Sequence, residues 1–179
     1  AHVRPLREIR VWGRSTERAE ELAAALQAEL TTPARAADTA REAVRGADLI
    51  CAVSASTEPI LFGADVMDGA HVNLVGSSTA AAREADDALV ARARLFADHR
   101  ESALAQGGEV RHALAAGAIG EDHVLGEIGQ VMAGDLAGRL GEADVTIYKS
   151  LGAIAQDLAA GWFVYGRALA ESLGTEAAF

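Results

Sequence analysis

"EIRVWGRSTERAEELAAAL", residues 8–26, decides the fold. Residues 7–12, REIRVW, alternate polar and apolar and end at Gly13, the pattern of a short strand meeting a turn. Ser15 is placed to cap the helix that follows, and Glu17 sits in its positive first turn. Leu22 and Leu26 share one face at helical spacing, so the stretch predicts strand, turn, helix.

Downstream the scheme repeats. Residues 33–37 predict a short, poor strand, and TARE, residues 39–42, has the form of a capping box opening a brief helix that Gly46 ends. ADLICAV, residues 47–53, is a continuous apolar run, expected of a strand buried on both faces and followed by the polar loop SASTEP. GAHVNLVGSS at 69–78, RLFAD at 94–98 behind the helical DDALVARA, and DVTIYKS at 144–150 supply further strands. Strands separated by helical stretches of roughly ten to fifteen residues indicate βαβ units, hence an α/β fold with a doubly wound, Rossmann-like parallel sheet. Residues 115–142 are dotted with glycine and read as helices with loops, and EDHVLGE within them as a solvated helix start. Residues 153–172 predict a helix with an apolar stripe of Ile154, Leu158, Trp162, Tyr165 and Leu169. That stripe packs either on this domain's own sheet or on a partner domain or subunit.

Bulk properties narrow the function. The chain has 179 residues, enough for one domain with a sizeable core. A formal net charge of -10 argues against nucleic acid as the main partner, because duplex binding relies on cations that neutralise phosphates. The single cysteine, Cys51, cannot make an internal disulfide, which fits a reducing cytoplasm, and its apolar surroundings predict a small buried hydrophobe. The chain lacks both an apolar leader segment and the roughly 18 consecutive apolar residues of a membrane span, the reading of a soluble protein.

Chemistry is concentrated where the first strand ends. In dinucleotide-binding folds an acidic residue after the second strand binds both ribose hydroxyls of NAD, whereas an arginine accommodates the extra phosphate of NADP. Gly13, Arg14 and Ser15 carry no carboxylate; a guanidinium forks onto phosphate oxygens, so NADP(H) is preferred over NAD(H). On this motif alone, a surface arginine beside a helix cap is an equal reading. The glycine fingerprint GxGxxG occurs nowhere among the 18 glycines, and it should lie about twenty residues before the ribose-contacting position, where this chain has only thirteen. The pattern is therefore truncated rather than substituted. His123 and Glu127, at i, i+4 spacing, are a weak metal pair with no third ligand, and Ser77 and Ser78 are better explained as a small-residue turn than as nucleophiles.

Taken in order, VWGRSTERAEELA, AVRGADLICAVSASTEPIL, GAHVNLVGSS with READDALVARARLFAD, and IYKSLGAIAQDLAA resemble the ornithine cyclodeaminase and mu-crystallin family, from about residue 6 to the last helix. The resemblance implies an N-terminal substrate and dimerisation domain, then a Rossmann domain for NAD(H) or NADP(H), with the last helix returning to the first domain. It divides this chain into a partial Rossmann domain, residues 1–150, and a C-terminal helix, residues 151–179, and implies a homodimer formed through the other domain. Implied activities are ornithine cyclodeamination, alanine dehydrogenation and the reduction of cyclic imines such as pyrroline-2-carboxylate and other ketimines. Mu-crystallin-like members also imply a non-catalytic alternative, binding of a small ligand with NADPH.

By position, Gly13, Arg14 and Ser15 resemble the 2′-phosphate turn of NADP-dependent members. Val53 and Ser54 resemble the loop under adenine and ribose, and Val75, Gly76 and Ser77 the strand end beneath the nicotinamide. Ser150 and Leu151 resemble the segment closing over the nicotinamide ring. Ser78 stands where ornithine cyclodeaminases place an acid-base aspartate, and Ala82 where they place a lysine. Ala80 replaces a common proline, and Gln106 lies near a usually acidic position. A hydroxyl of very high pKa is no general base near neutrality, so the resemblance points to the imine-reductase branch. Without a first strand, REIRVW would have no neighbour joining it to LICAV, leaving two unpaired edges facing each other. The glycine loop's absence predicts little nicotinamide binding and no activity by these residues alone. It also favours docking of the last helix on a domain outside the chain.

Overall fold

The computed structural model describes residues 4–77, 79–175 and 177. The opening stretch folds as read. β1, Ile9–Val11, leads into α1, Thr16–Glu29, whose N-cap Ser15 accepts a hydrogen bond from the amide of Arg18. The buried face of α1 is formed by Ala19 and Ala23, while Leu22 is half-exposed; small side chains let the helix lie close on β2, Ala34–Ala36. In α2, Ala40–Val44, Thr39 caps the Glu42 amide, but the Glu42 carboxylate reaches the amide of Asp38 and Arg35 rather than closing a capping box. The Arg35 hydrogen bond, helped by the Asp38 amide, holds the Glu42 carboxyl below its ordinary pKa.

The strands form two separate parallel sheets. β1 pairs with β2, and the second sheet has the order β3-β4-β7-β5-β6, with β3 at Leu49–Ala52, β4 at His71–Leu74, β5 at Arg94–Ala97, β6 at Val124–Glu127 and β7 at Thr146–Lys149. The last strand in sequence thus inserts between β4 and β5. Val72, Leu74, Leu95 and Ile147 are fully buried on these central strands, backed by Leu89 and Val90 of α3, Asp87–Arg92, by Ala103 of α4, Arg100–Gln106, and by Val110 of α5, Gly108–Ala115. Each such side chain contributes about 1.5–3 kcal/mol on burial. The middle of the second sheet is therefore the stable centre.

Among the described residues, nothing pairs β1 to β3. Arg10 of β1 instead donates to the carbonyls of Glu42 (2.9 Å) and Arg45 (2.8 Å) at the end of α2, the helix that leads into β3. This open edge explains two corrections. β3 is buried only on alternate residues, Ile50 and Ala52, and Cys51 is exposed instead of being a buried hydrophobe. Leu49 and Cys51 face cavities shared with Arg10, not a covering helix.

Two further expectations change. EDHVLGE is a short 3-10 turn, Glu121–His123, followed by β6, so His123 and Glu127 share no helical face; the His123 ring contacts the Val90 carbonyl at 2.8 Å. α6, Ile128–Ala133, follows directly. The final helix α7, Ile154–Glu171, forms as expected, but its stripe does not pack on this sheet: Ile154 is 87% exposed and Trp162 74%. Of the described helices, none is long and apolar enough to cross a membrane.

His71, at the head of β4, places Nδ1 2.7 Å from Thr146 Oγ1 and Nε2 3.3 Å from Asn73 Oδ1. Burial pushes its pKa down, Arg139 adds to that, and the Asn73 contact opposes it. The unfolded chain therefore takes up this proton first on acidification, near an ordinary histidine pKa of about 6.5. Stability is fully present above that pH and declines below it. His71→Gln is expected to flatten the acid limb of melting temperature against pH, and an unchanged slope would assign that limb to other groups.

Candidate functional site

In open α/β sheets, ligands bind beyond the carboxyl ends of the strands. Val53 and Ser54 follow β3, Val75, Gly76 and Ser77 follow β4, and Ser150 and Leu151 follow β7, so all the anticipated strand-end residues lie at one end of the sheet. Gly13, Arg14, Val53 and Ser54 line one cavity of about 370 Å³ together with Trp12 and Ile60. That volume lies within the roughly 300–1,000 Å³ of small-molecule pockets. Arg14 is exposed and enters no ion pair among the described residues, leaving its guanidinium available to an anion. Ser15 sits at the cap of α1. A second cavity of about 800 Å³ opens between β1 and β3, bordered by Ile9, Leu26, Gly46 and Leu49.

The strand ends are tied by buried charged side chains that composition and periodicity do not single out. Glu84, fully buried, accepts from the Ser54 amide (2.6 Å), the Ser54 hydroxyl (2.8 Å) and the Gly76 amide (2.9 Å). Glu109 accepts through Oε1 from the Ser77 hydroxyl (2.6 Å) and the Glu84 amide (2.9 Å). Lys149 donates to the Ser77 carbonyl (2.5 Å) and hydroxyl (3.1 Å), and its Nζ lies 3.1 Å from Glu109 Oε2. Oε2 has that ionic neighbour but no well-aligned hydrogen bond. Asp98 Oδ2 collects the Ser150 hydroxyl (3.2 Å) and the amides of Leu151 and Gly152 (both 2.7 Å).

Ser77 is only 1% exposed and its hydroxyl is committed to Glu109 and Lys149. Ser78 lies outside the described residues. Lys149 was the one network member with a sequence signal, a charge closing an otherwise apolar strand.

The sheet and its clustered strand ends define a Rossmann-like α/β fold. Within it, the chain belongs to the ornithine cyclodeaminase/mu-crystallin family, which matches residues 1–172. It is 40% identical over 159 residues to ketimine reductase mu-crystallin of Mus musculus, covering 89% of this chain and 47% of that protein. Delta(1)-pyrroline-2-carboxylate reductase of Thermococcus litoralis, solved with NADH and L-proline, superposes with a TM-score of 0.92 at 27% identity, over 98% of this chain and 55% of that one. Iminosuccinate reductase of Paracoccus denitrificans, solved with NAD+, gives a TM-score of 0.86 at 36% identity, over 99% of this chain and 54% of that one. The chain spans about half the length of the relatives it matches.

Proposed function

We propose that the chain is the cofactor-binding part of a nicotinamide-dependent imine reductase acting on a cyclic imine or ketimine of an amino acid, with NADPH preferred. The observation that carries this reading is the single cavity that brings Gly13 and Arg14 of the first strand's turn to Val53 and Ser54 of the β3 end. At the strand ends a Cβ on Gly76 would lie 1.8 Å from the Ser54 carbonyl oxygen, so the backbones at the ends of β3 and β4 approach closely there.

In this reading Arg14 forks onto the ribose phosphate, with the N-terminus of α1 beside it. Val53 and Ser54 border the adenosine half. Val75 and Gly76 lie below the nicotinamide, and the turn at Ser150 and Leu151, held by Asp98, lies along its edge. When bound, the reduced nicotinamide supplies a hydride to the carbon of the C=N bond. Glu84 and Glu109 are fully buried and offer no proton to a substrate. Residues 1–150 hold the cofactor, and α7 carries its exposed stripe to the substrate domain.

The test uses the full-length protein with NADPH or NADH and pyrroline-2-carboxylate. Loss of reduced-cofactor absorbance that depends on the imine is expected, faster with NADPH. Saturable dinucleotide binding without turnover on any cyclic imine would instead favour a ligand-binding protein.

A further inference from the structure

We propose that Glu109 and Lys149 are a buried positioning pair whose task is to fix Ser77, through its carbonyl and hydroxyl, at the end of β4 beneath the nicotinamide ring. The inference rests on the nicotinamide reading of the site. Both side chains are fully buried. A buried ion pair is weak support for stability, since desolvation of the two charges offsets most of their attraction, and apolar residues of similar volume often serve as well.

The contacts point to one residue. Two of the three donors of Lys149 go to Ser77, one to its carbonyl and one to its hydroxyl, and Glu109 takes the proton side of that same hydroxyl. Ser77 is thereby held by its backbone and side chain together. Glu109 also receives the Glu84 amide, and Glu84 in turn grips Ser54 and Gly76, so the pair reaches the ends of β3 and β4 through a single intermediary. Lys149 is itself the last residue of β7, directly before the turn that Asp98 anchors. One ammonium group therefore sets the spacing between Ser77, below the ring, and the turn at its edge.

The delivery of Glu109 is equally constrained. Gly108, which opens α5, is so close to the preceding loop that a Cβ there would stand 1.7 Å from the Ala82 carbonyl oxygen. The first turn of α5 is pressed against the loop that carries Glu84, and Glu109 enters the network from that contact. Hydride transfer is sensitive to such placement, because a shift of about 1 Å in a reacting group costs on the order of 100-fold in rate.

The test compares wild type with Glu109→Gln/Lys149→Met in the full-length protein. The glutamine amide oxygen still accepts from Ser77 and from the Glu84 amide, and removing both charges avoids an uncompensated buried ion. The double variant is expected to melt near wild type and to bind ADP-ribose within about twofold of it, while kcat with NADPH and a cyclic imine falls roughly 10- to 100-fold. Wild-type kcat in the double variant would overturn the proposal, as would a loss of ADP-ribose affinity parallel to the loss of rate. If the double variant does not fold, Lys149→Arg carries the test: it keeps a cation beside Glu109 but moves the donors that hold Ser77, and the same selective loss of about tenfold is expected. A wild-type protein that neither binds NADPH nor turns over would overturn the nicotinamide reading and this inference together; normal wild-type behaviour without the selective loss overturns this inference alone.

Discussion

Gly76→Ala is expected to lower the melting temperature of the full-length protein by about 10 °C or more, or to prevent its folding. The added methyl would stand 1.8 Å from the Ser54 carbonyl oxygen, 2.3 Å from the Ser54 amide nitrogen and 2.5 Å from Glu84 Oε1. Two of these neighbours are backbone, so no rotamer change clears them. Relief requires the ends of β3 and β4 to part, which breaks the bridge from the Ser54 and Gly76 amides to the Glu84 carboxylate. Overpacking costs roughly 1–3 kcal/mol, and each buried polar group left without its partner adds about 1–3 kcal/mol. At roughly 2–4 °C per kcal/mol for a domain of this size, the sum is plain in a thermal melt. A variant that melts with wild type would show that this corner opens freely, contrary to the close approach seen here.

The second large effect is on cofactor choice. Arg14→Asp in the full-length protein is expected to reverse a preference for NADPH over NADH, changing the ratio of the two kcat/KM values by on the order of 100-fold. A charge-assisted fork onto phosphate is worth about 1.5–3 kcal/mol, and each 1.4 kcal/mol is tenfold. The substitution also sets a carboxylate against the phosphate while offering ribose hydroxyls an acceptor. Arg14 is exposed and holds no ion pair among the described residues, so the melting temperature should stay put. An unaltered NADPH to NADH ratio would remove Arg14 from the site.

Local structure was legible wherever a short-range rule governs it. Ser15 and Thr39 cap the helices they precede, Asp86 caps α3, and Gly46 adopts the positive φ of a helix stop. The β6 strand escaped because Gly126 interrupts so short an apolar run that it shows no period, and the acidic residues ahead of it read as a helix start. The burial of ADLICAV was overstated because an apolar run reports hydrophobicity, not which neighbours exist to cover it; Cys51 and Leu49 meet open cavities. The site divides in the same way. Local pattern marks Gly13 and the strand ends as such, whereas Val53, Gly76 and Ser150 are singled out as site residues only by the family resemblance. Glu84, Glu109 and Lys149 make contacts that span up to 72 residues of chain, and no local pattern marks a carboxylate as buried.

The open edge between the two sheets has a consequence for the protein's lifetime. No ladder joins the two sheets among the described residues; side-chain contacts such as Arg10 on the α2 carbonyls and Arg35 on Glu42 make a joint far weaker than the ladders on either side of it. Openings at that joint would expose backbone to proteases long before the central sheet yields. A dinucleotide reaching from Arg14 to the strand ends would splint it, and the protection would grow with the logarithm of free cofactor concentration. The persistence of the polypeptide in a cell would then track its supply of reduced nicotinamide.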